Sequence, residues 1–247
     1  MENIPMILTV TLFFFFLFPD LTHSGDRKFL MRKGSVLKLP SDARPPLVDP
    51  SRVTQISWKP RAFLYRNFLT EEECEHLKKL ARDKLKKSMV ADNESGKSVE
   101  SKVRTSSGMF LRKHQDEIVS GIETRLAAWT FLPEENGEAM QILHYENGQK
   151  YEPHFDYFHD KVNQVMGGHR IATILMYLSQ VEKGGETVFP NSEEIQVKGD
   201  DWSECAKQGY AGKPISQYAF SNMSRILGDV FVFPEALLRC CAPGPRP

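Results

Sequence analysis

The chain has 247 residues, 40% of them hydrophobic, and its 32 lysines and arginines balance 32 aspartates and glutamates. That length and composition fit one catalytic-sized globular domain with a leader. A formal net charge of zero lacks the basic excess that marks a nucleic-acid binder, which speaks against nucleic acid as a partner.

The N-terminus differs from everything after it. Ile4 to Phe18 is almost wholly apolar, contains Phe13-Phe14-Phe15-Phe16, and stops at Pro19-Asp20. It is shorter than the roughly 20 residues of a bilayer span, and fits the h-region of a signal peptide within residues 1–24. An uncleaved signal anchor is the alternative, although Arg27, Lys28, Arg32 and Lys33 lie on the unfavourable side for it. Either form predicts the secretory pathway: the endoplasmic reticulum, lumenal or membrane-anchored. Residues 25–52, basic and then punctuated by Pro40, Pro45, Pro46 and Pro50, read as a linker.

The folded domain is expected over residues 53–214. Val53 to Trp58 alternates as a strand, and Ala62 to Tyr65 continues as a second extended piece. Thr70 and Glu73 are spaced as a capping box, and Cys74, Leu77, Leu80, Ala81 and Leu85 return to one helical face. Lys78, Lys79, Lys84, Lys86 and Lys87 fill much of the remainder, a solvated face on which His76 reads as a surface residue. Asp92 to Lys102 is a polar loop before Val103 to Leu111. A second helix is predicted from Asp116 to Phe131, with Ile118, Val119, Ile122, Leu126 and Trp129 as core residues, and Pro133 ends it.

From Ala139 onward the pattern is β: short aromatic alternating runs between Gly, Pro and Asn turns, as in a small barrel or jelly roll. Tyr145 ends one such run, Asn147-Gly148 predicts a hairpin turn, and His154-Phe155-Asp156 follows. On an extended strand residues i and i+2 project to one face, so His154 and Asp156 point together while Phe155 turns away. That pair is two thirds of a 2-His-1-carboxylate triad, which holds non-haem Fe(II) with positions left open. His144 is expected to face away from Tyr145 in a structural or exterior role. His159 and His169 read as loop and surface residues.

Arg104-Thr105-Ser106-Ser107-Gly108, the Leu143 to Asp156 stretch, the Arg170 to Leu178 strand and Gly184-Gly185-Glu186-Thr187-Val188-Phe189-Pro190 recur in order. On these motifs the run from about Val53 to Pro214 resembles plant prolyl 4-hydroxylases, Fe(II)- and 2-oxoglutarate-dependent dioxygenases. The resemblance implies an α+β fold with a double-stranded β-helix (jelly-roll) core behind N-terminal helices. It implies Fe(II), 2-oxoglutarate, L-ascorbate and O2, acting on peptidyl-proline in proline-rich secreted or cell-wall proteins. It makes His154 and Asp156 iron ligands, puts Tyr145 and Thr187 beside 2-oxoglutarate, and lines a peptide groove with Arg104, Ser106, Glu138, Tyr151 and Arg170.

The resemblance stops after Pro214. Residues 215–247 hold no histidine, whereas the family's third iron ligand and a lysine for the distal 2-oxoglutarate carboxylate lie downstream of the Gly-Gly-Glu-Thr motif. The expectation is therefore a truncated or alternatively spliced product with incomplete C-terminal strands. An inactive isoform that still binds peptide, or joins intact relatives in a homo- or hetero-oligomer, stands beside the enzyme reading. Cys74, Cys205, Cys240 and Cys241 allow three pairings in an oxidising lumen, and Asn93 and Asn222 head glycosylation sequons.

Overall fold

The computed structural model describes residues 7–16 and 47–239, save 59–60, 93–96, 159, 182, 191, 193–195, 197, 214, 218, 224, 228–229 and 233–236. Most of the linker, His159 and the first sequon at Asn93 therefore lie outside the described residues.

The two longer helices follow their capping chemistry. Helix α1 (Glu71–Ala81) opens on the predicted capping box: the Glu73 amide donates to Thr70 Oγ1 at 3.2 Å and the Thr70 amide donates to Glu73 Oε2 at 2.9 Å. Helix α2 (Glu117–Thr130) is capped by Asp116, whose Oδ1 accepts from the Val119 amide at 2.9 Å. It ends where Phe131 turns left-handed at φ 58°. His76 is not a bare surface residue, since its Nε2 lies 2.9 Å from Asp116 Oδ2 and ties α1 to the cap of α2. A second tie, Arg125 to Glu73 at 2.8 Å, runs between the same helices.

The strands form two principal antiparallel sheets. The larger is ordered β2 (Val53–Trp58), β3 (Arg61–Tyr65), β13 (Ala219–Met223), β10 (His169–Tyr177), β1 (Ile7–Phe16), β8 (Gln141–Tyr145), β7 (Ser107–Phe110), β4 (Lys86–Lys87). The smaller is ordered β12 (Tyr210–Gly212), β11 (Thr187–Phe189), β16 (Leu237–Arg239), β9 (Tyr151–His154). Minor ribbons pair β5 (Val90–Ala91) with β6 (Ser98–Val99) and β14 (Arg225–Leu227) with β15 (Val230–Val232). Helices packed outside a jelly-roll type β core is the architecture the sequence predicts.

The structure adds three placements to that reading. The apolar stretch expected as a signal h-region lies as β1, pairing with β10 from Thr9↔Tyr177 to Phe16↔His169 and with β8 from Ile7↔Tyr145 to Thr11↔Gln141. The divergent tail contributes strands: β13 pairs with β10 and β3, and β16 lies between β11 and β9. Unpaired strand edges are templates for any apolar segment within reach, and these two segments cover them. Third, the Asn147-Gly148 turn forms, with Gly148 at φ 81°, but β8 and β9 are not a hairpin. They belong to different sheets, so the turn carries the chain from one layer to the other.

The main core lies between the helices and one face of the larger sheet. Val119, Ile122 and Leu126 of α2 and Leu77 of α1 pack with Ile142 of β8 and with Ala172, Ile174 and Met176 of β10, all at most 2% exposed. The residues between them on β10, Thr173 and Leu175, point to the other face, as strand alternation demands. Cys74 is a free buried thiol in this core, pushed by burial up to about 11, and Cys205 is disulfide-bonded.

Candidate active site

The second face of the larger sheet lines a cavity of about 1240 Å³. Gln141, Leu143 and Tyr145 come to it from β8, Thr173 and Leu175 from β10, and Thr187 from β11. Arg170 joins them although it shares parity with the core residue Ala172. Opposite Phe14 and Phe15 the register jumps from Ala172 to Arg170, a bulge at Ile171 that re-aims the guanidinium toward the cavity.

His154 closes β9, and Asp156 sits in the bend beyond it. The predicted convergence nevertheless holds: His154 Nε2 faces Asp156 Oδ1 at 3.4 Å, while Phe155 between them is 51% exposed at the cavity's edge. His154 Nδ1 lies 2.8 Å from the Glu152 carbonyl. A carbonyl only accepts, so Nδ1 carries a proton toward it, and Nε2 is the ring nitrogen that faces the carboxylate. Asp156 is buried, and Thr173 donates to its Oδ2 at 2.8 Å. Burial pushes the Asp156 carboxyl up, but the His154 contact, the charges of His154 and Arg170 and the Thr173 hydroxyl outweigh it and hold it below its ordinary value. An imidazole pinned through its other nitrogen, beside a carboxylate oriented by a hydroxyl, is the outer support that metal ligands carry.

Around the pair the side chains are stacked. The Tyr151 ring lies 3.6 Å from the His154 ring, and the Arg104 guanidinium sits 4.6 Å over the far side of Tyr151. Arg104 donates to the Met89 carbonyl and to Gln141 Oε1, each at 3.0 Å. Burial pushes the Tyr151 hydroxyl up to about 12. Tyr145 and Thr187, expected beside the keto acid, are both buried in the wall, and the Thr187 hydroxyl meets the Tyr177 hydroxyl at 2.7 Å. Gly108 ends the Arg104 motif because β7 runs so close to β8 that a Cβ there would meet Leu143 Cδ2 at 2.8 Å and the Ile142 carbonyl at 2.9 Å.

Two residues expected in the peptide groove stand behind it. Ser106 is fully buried and donates to Ser88 Oγ at 3.0 Å, so it shapes the wall. Glu138 grips Arg170 through both oxygens, 2.5 Å from Nε and 2.9 Å from Nη2, and orients that guanidinium from outside the cavity. His144 is buried rather than exterior, and its Nε2 has no hydrogen-bond partner among the described residues. His169 is half-buried as well, stacked at 4.3 Å on Tyr157. Thr173 and Gln141 were missed. A hydroxyl on the otherwise apolar run from Ile171 to Leu178, in phase with the cavity face, was the available signal for Thr173.

The model of the 2OG-Fe(II) oxygenase superfamily matches residues 140–234, the segment that holds the His154–Asp156 pair. Probable prolyl 4-hydroxylase 7 of Arabidopsis thaliana is 64% identical over 216 residues, covering 85% of this chain and 68% of that protein. The chain belongs to the prolyl 4-hydroxylase family. Prolyl 4-hydroxylase 2 of the same plant is 60% identical over 173 residues, with 68% of this chain and 58% of the relative covered. The chain thus spans between somewhat over half and two thirds of the length of these family members. A crystal structure of a Pseudomonas putida prolyl-4-hydroxylase superposes with TM-score 0.45 at 12% identity, over 74% of this chain and 87% of that one.

Proposed function

We propose that the chain is a prolyl 4-hydroxylase that uses Fe(II), 2-oxoglutarate and O2, with L-ascorbate as reductant, on proline-rich secreted or cell-wall proteins. The observation that carries the reading is the His154 Nε2 and Asp156 Oδ1 pair, 3.4 Å apart beside a cavity large enough for a keto acid and a peptide side chain. The donor set fits iron: one imidazole, held at Nδ1 by a carbonyl so that Nε2 faces the site, and one buried carboxylate whose pKa is held below its ordinary value. Iron(II) with the keto acid and dioxygen supplies the oxidising power that turns a C–H bond into C–OH.

The chain's own residues bind, orient and exclude. His154 and Asp156 hold the metal, and Thr173 fixes which carboxylate oxygen faces it. Tyr145 and Thr187 form the wall that receives 2-oxoglutarate, and with Leu143 they keep that wall dry. Arg104 and Tyr151 offer the peptide a flat, rigid edge next to the metal pair, and Arg170, steadied by Glu138, adds a cation on the same face. A non-catalytic, peptide-binding form is the second reading, told from the first by turnover.

Passage through the secretory pathway belongs to the same proposal, supported by the apolar N-terminal segment and the disulfide at Cys205. N-terminal sequencing of the chain recovered from a eukaryotic host tells a cleaved leader from a retained β1.

The test is succinate formation by the full chain with Fe(II), 2-oxoglutarate, ascorbate and a polyproline peptide. Turnover should fall by more than about 100-fold in His154→Ala and in Asp156→Ala, beyond the range usual for outer supports of a metal. A folded chain that makes no succinate but still binds the peptide would replace the enzyme reading with the second one.

A further inference from the structure

Away from the cavity, a second group of donors converges around helix α2. His114 precedes the helix, Glu123 lies within it and Glu134 follows it; their ligand atoms all come within 4.8 Å of one another. His114 Nδ1 is 3.1 Å from Glu123 Oε2 and 3.5 Å from Glu134 Oε1. A small cation with bonds of about 2.1 Å at tetrahedral angles sets its ligand atoms roughly 3.4 Å apart. Both measured separations sit next to that value.

The buried member makes the cluster more than a surface ion pair. Glu123 is 4% exposed, its Oε2 accepts from the His114 amide at 2.9 Å, and its Oε1 has no partner among the described residues. Burial pushes its carboxyl up, against the pull of the His114 amide and of the His114 and Lys113 charges, while Glu134 adds to the push. The neighbouring cation does not fill the vacancy, because Lys113 Nζ donates to the Glu134 and Glu135 carbonyls at 3.0 and 3.1 Å. A carboxylate oxygen buried without a partner is costly. One imidazole proton, moreover, cannot serve two carboxylates at once.

We propose that His114, Glu123 and Glu134 form a structural site for a divalent transition cation of the zinc type, with water completing the shell. Imidazole and carboxylate together are the N/O donor set such ions accept. None of the three residues lines the iron cavity, so the site is separate from the oxygenase chemistry. Its effect is to staple the segment before α2 to the turn after it.

The experiment is calorimetric titration of zinc into the full chain carrying His154→Ala and Asp156→Ala, which removes the other metal pair. One equivalent should still bind. Adding His114→Asn, which suits the left-handed backbone at φ 52°, or Glu134→Gln should weaken it by at least about 10-fold. In the otherwise unmutated chain, zinc stoichiometry should drop from two to one on His114→Asn, a readout that does not depend on the double variant folding. The proposal is overturned if the double variant takes up no zinc, or if neither substitution changes affinity or stoichiometry.

Discussion

Thr173 and Ile174 are neighbours on β10, and they serve opposite sides of one sheet. Ile174 is fully buried with Ile122 and Leu126 in a dry apolar layer against the helices, where volume is what matters. Thr173 is nearly as buried, yet its hydroxyl is committed to the Asp156 carboxylate. The difference teaches that burial alone does not mark core. The helix side of β10 is filled by apolar side chains, whereas its cavity side gives a buried position to an oriented polar atom that holds another in place.

The comparison can be broken from either side. Ile174→Ala should have the largest effect on stability, about 2–5 kcal/mol in chemical denaturation, with KM for the peptide unchanged in the molecules that remain folded. Thr173→Val keeps the shape and removes the hydroxyl. It should weaken Fe(II) binding by about 10–100-fold, measured by metal titration, while Tm moves little. If the two variants exchanged these signatures, the division between the faces would be wrong.

A smaller effect tests His144, the buried histidine next to Tyr145. Burial, opposed by the Glu146 charge, lowers its affinity for a proton below the ordinary 6.5. The unfolded chain binds a proton below that pH and the folded chain resists it, so stability falls as pH drops through and below 6.5. One such group contributes a slope of at most about 1.4 kcal/mol per pH unit. His144→Gln should flatten that part of the profile, read from denaturation midpoints between pH 5 and 7. An unchanged slope would mean that His144 takes its proton without resistance.

Legibility tracked how local the cause was. The two helices were readable because a capping box, apolar period and a terminating proline act within a few residues, and α2 (Glu117–Thr130) falls inside the expected Asp116 to Phe131. The closeness of His154 to Asp156 was readable because residues two apart on extended backbone fall near one another even where the strand ends. Ser106 and Glu138 were harder. Both lie on motif segments near the site, and only the packing of Ser88 against one and Arg170 against the other shows them as wall and brace. The bulge that swings Arg170 into the cavity leaves no mark in a single strand, because it is defined against the register of its partner.

By itself the sequence determined the family, the two long helices and the closeness of His154 to Asp156, since each depends on spacings carried within short segments. Tertiary structure alone decided that β8 and β9 enter different sheets, that β1 and the tail supply strands, and that His114, Glu123 and Glu134 meet across α2. Sheet order, edge pairing and clusters drawn from distant positions are set by which surfaces remain to be covered, and that is a property of the whole chain packed together.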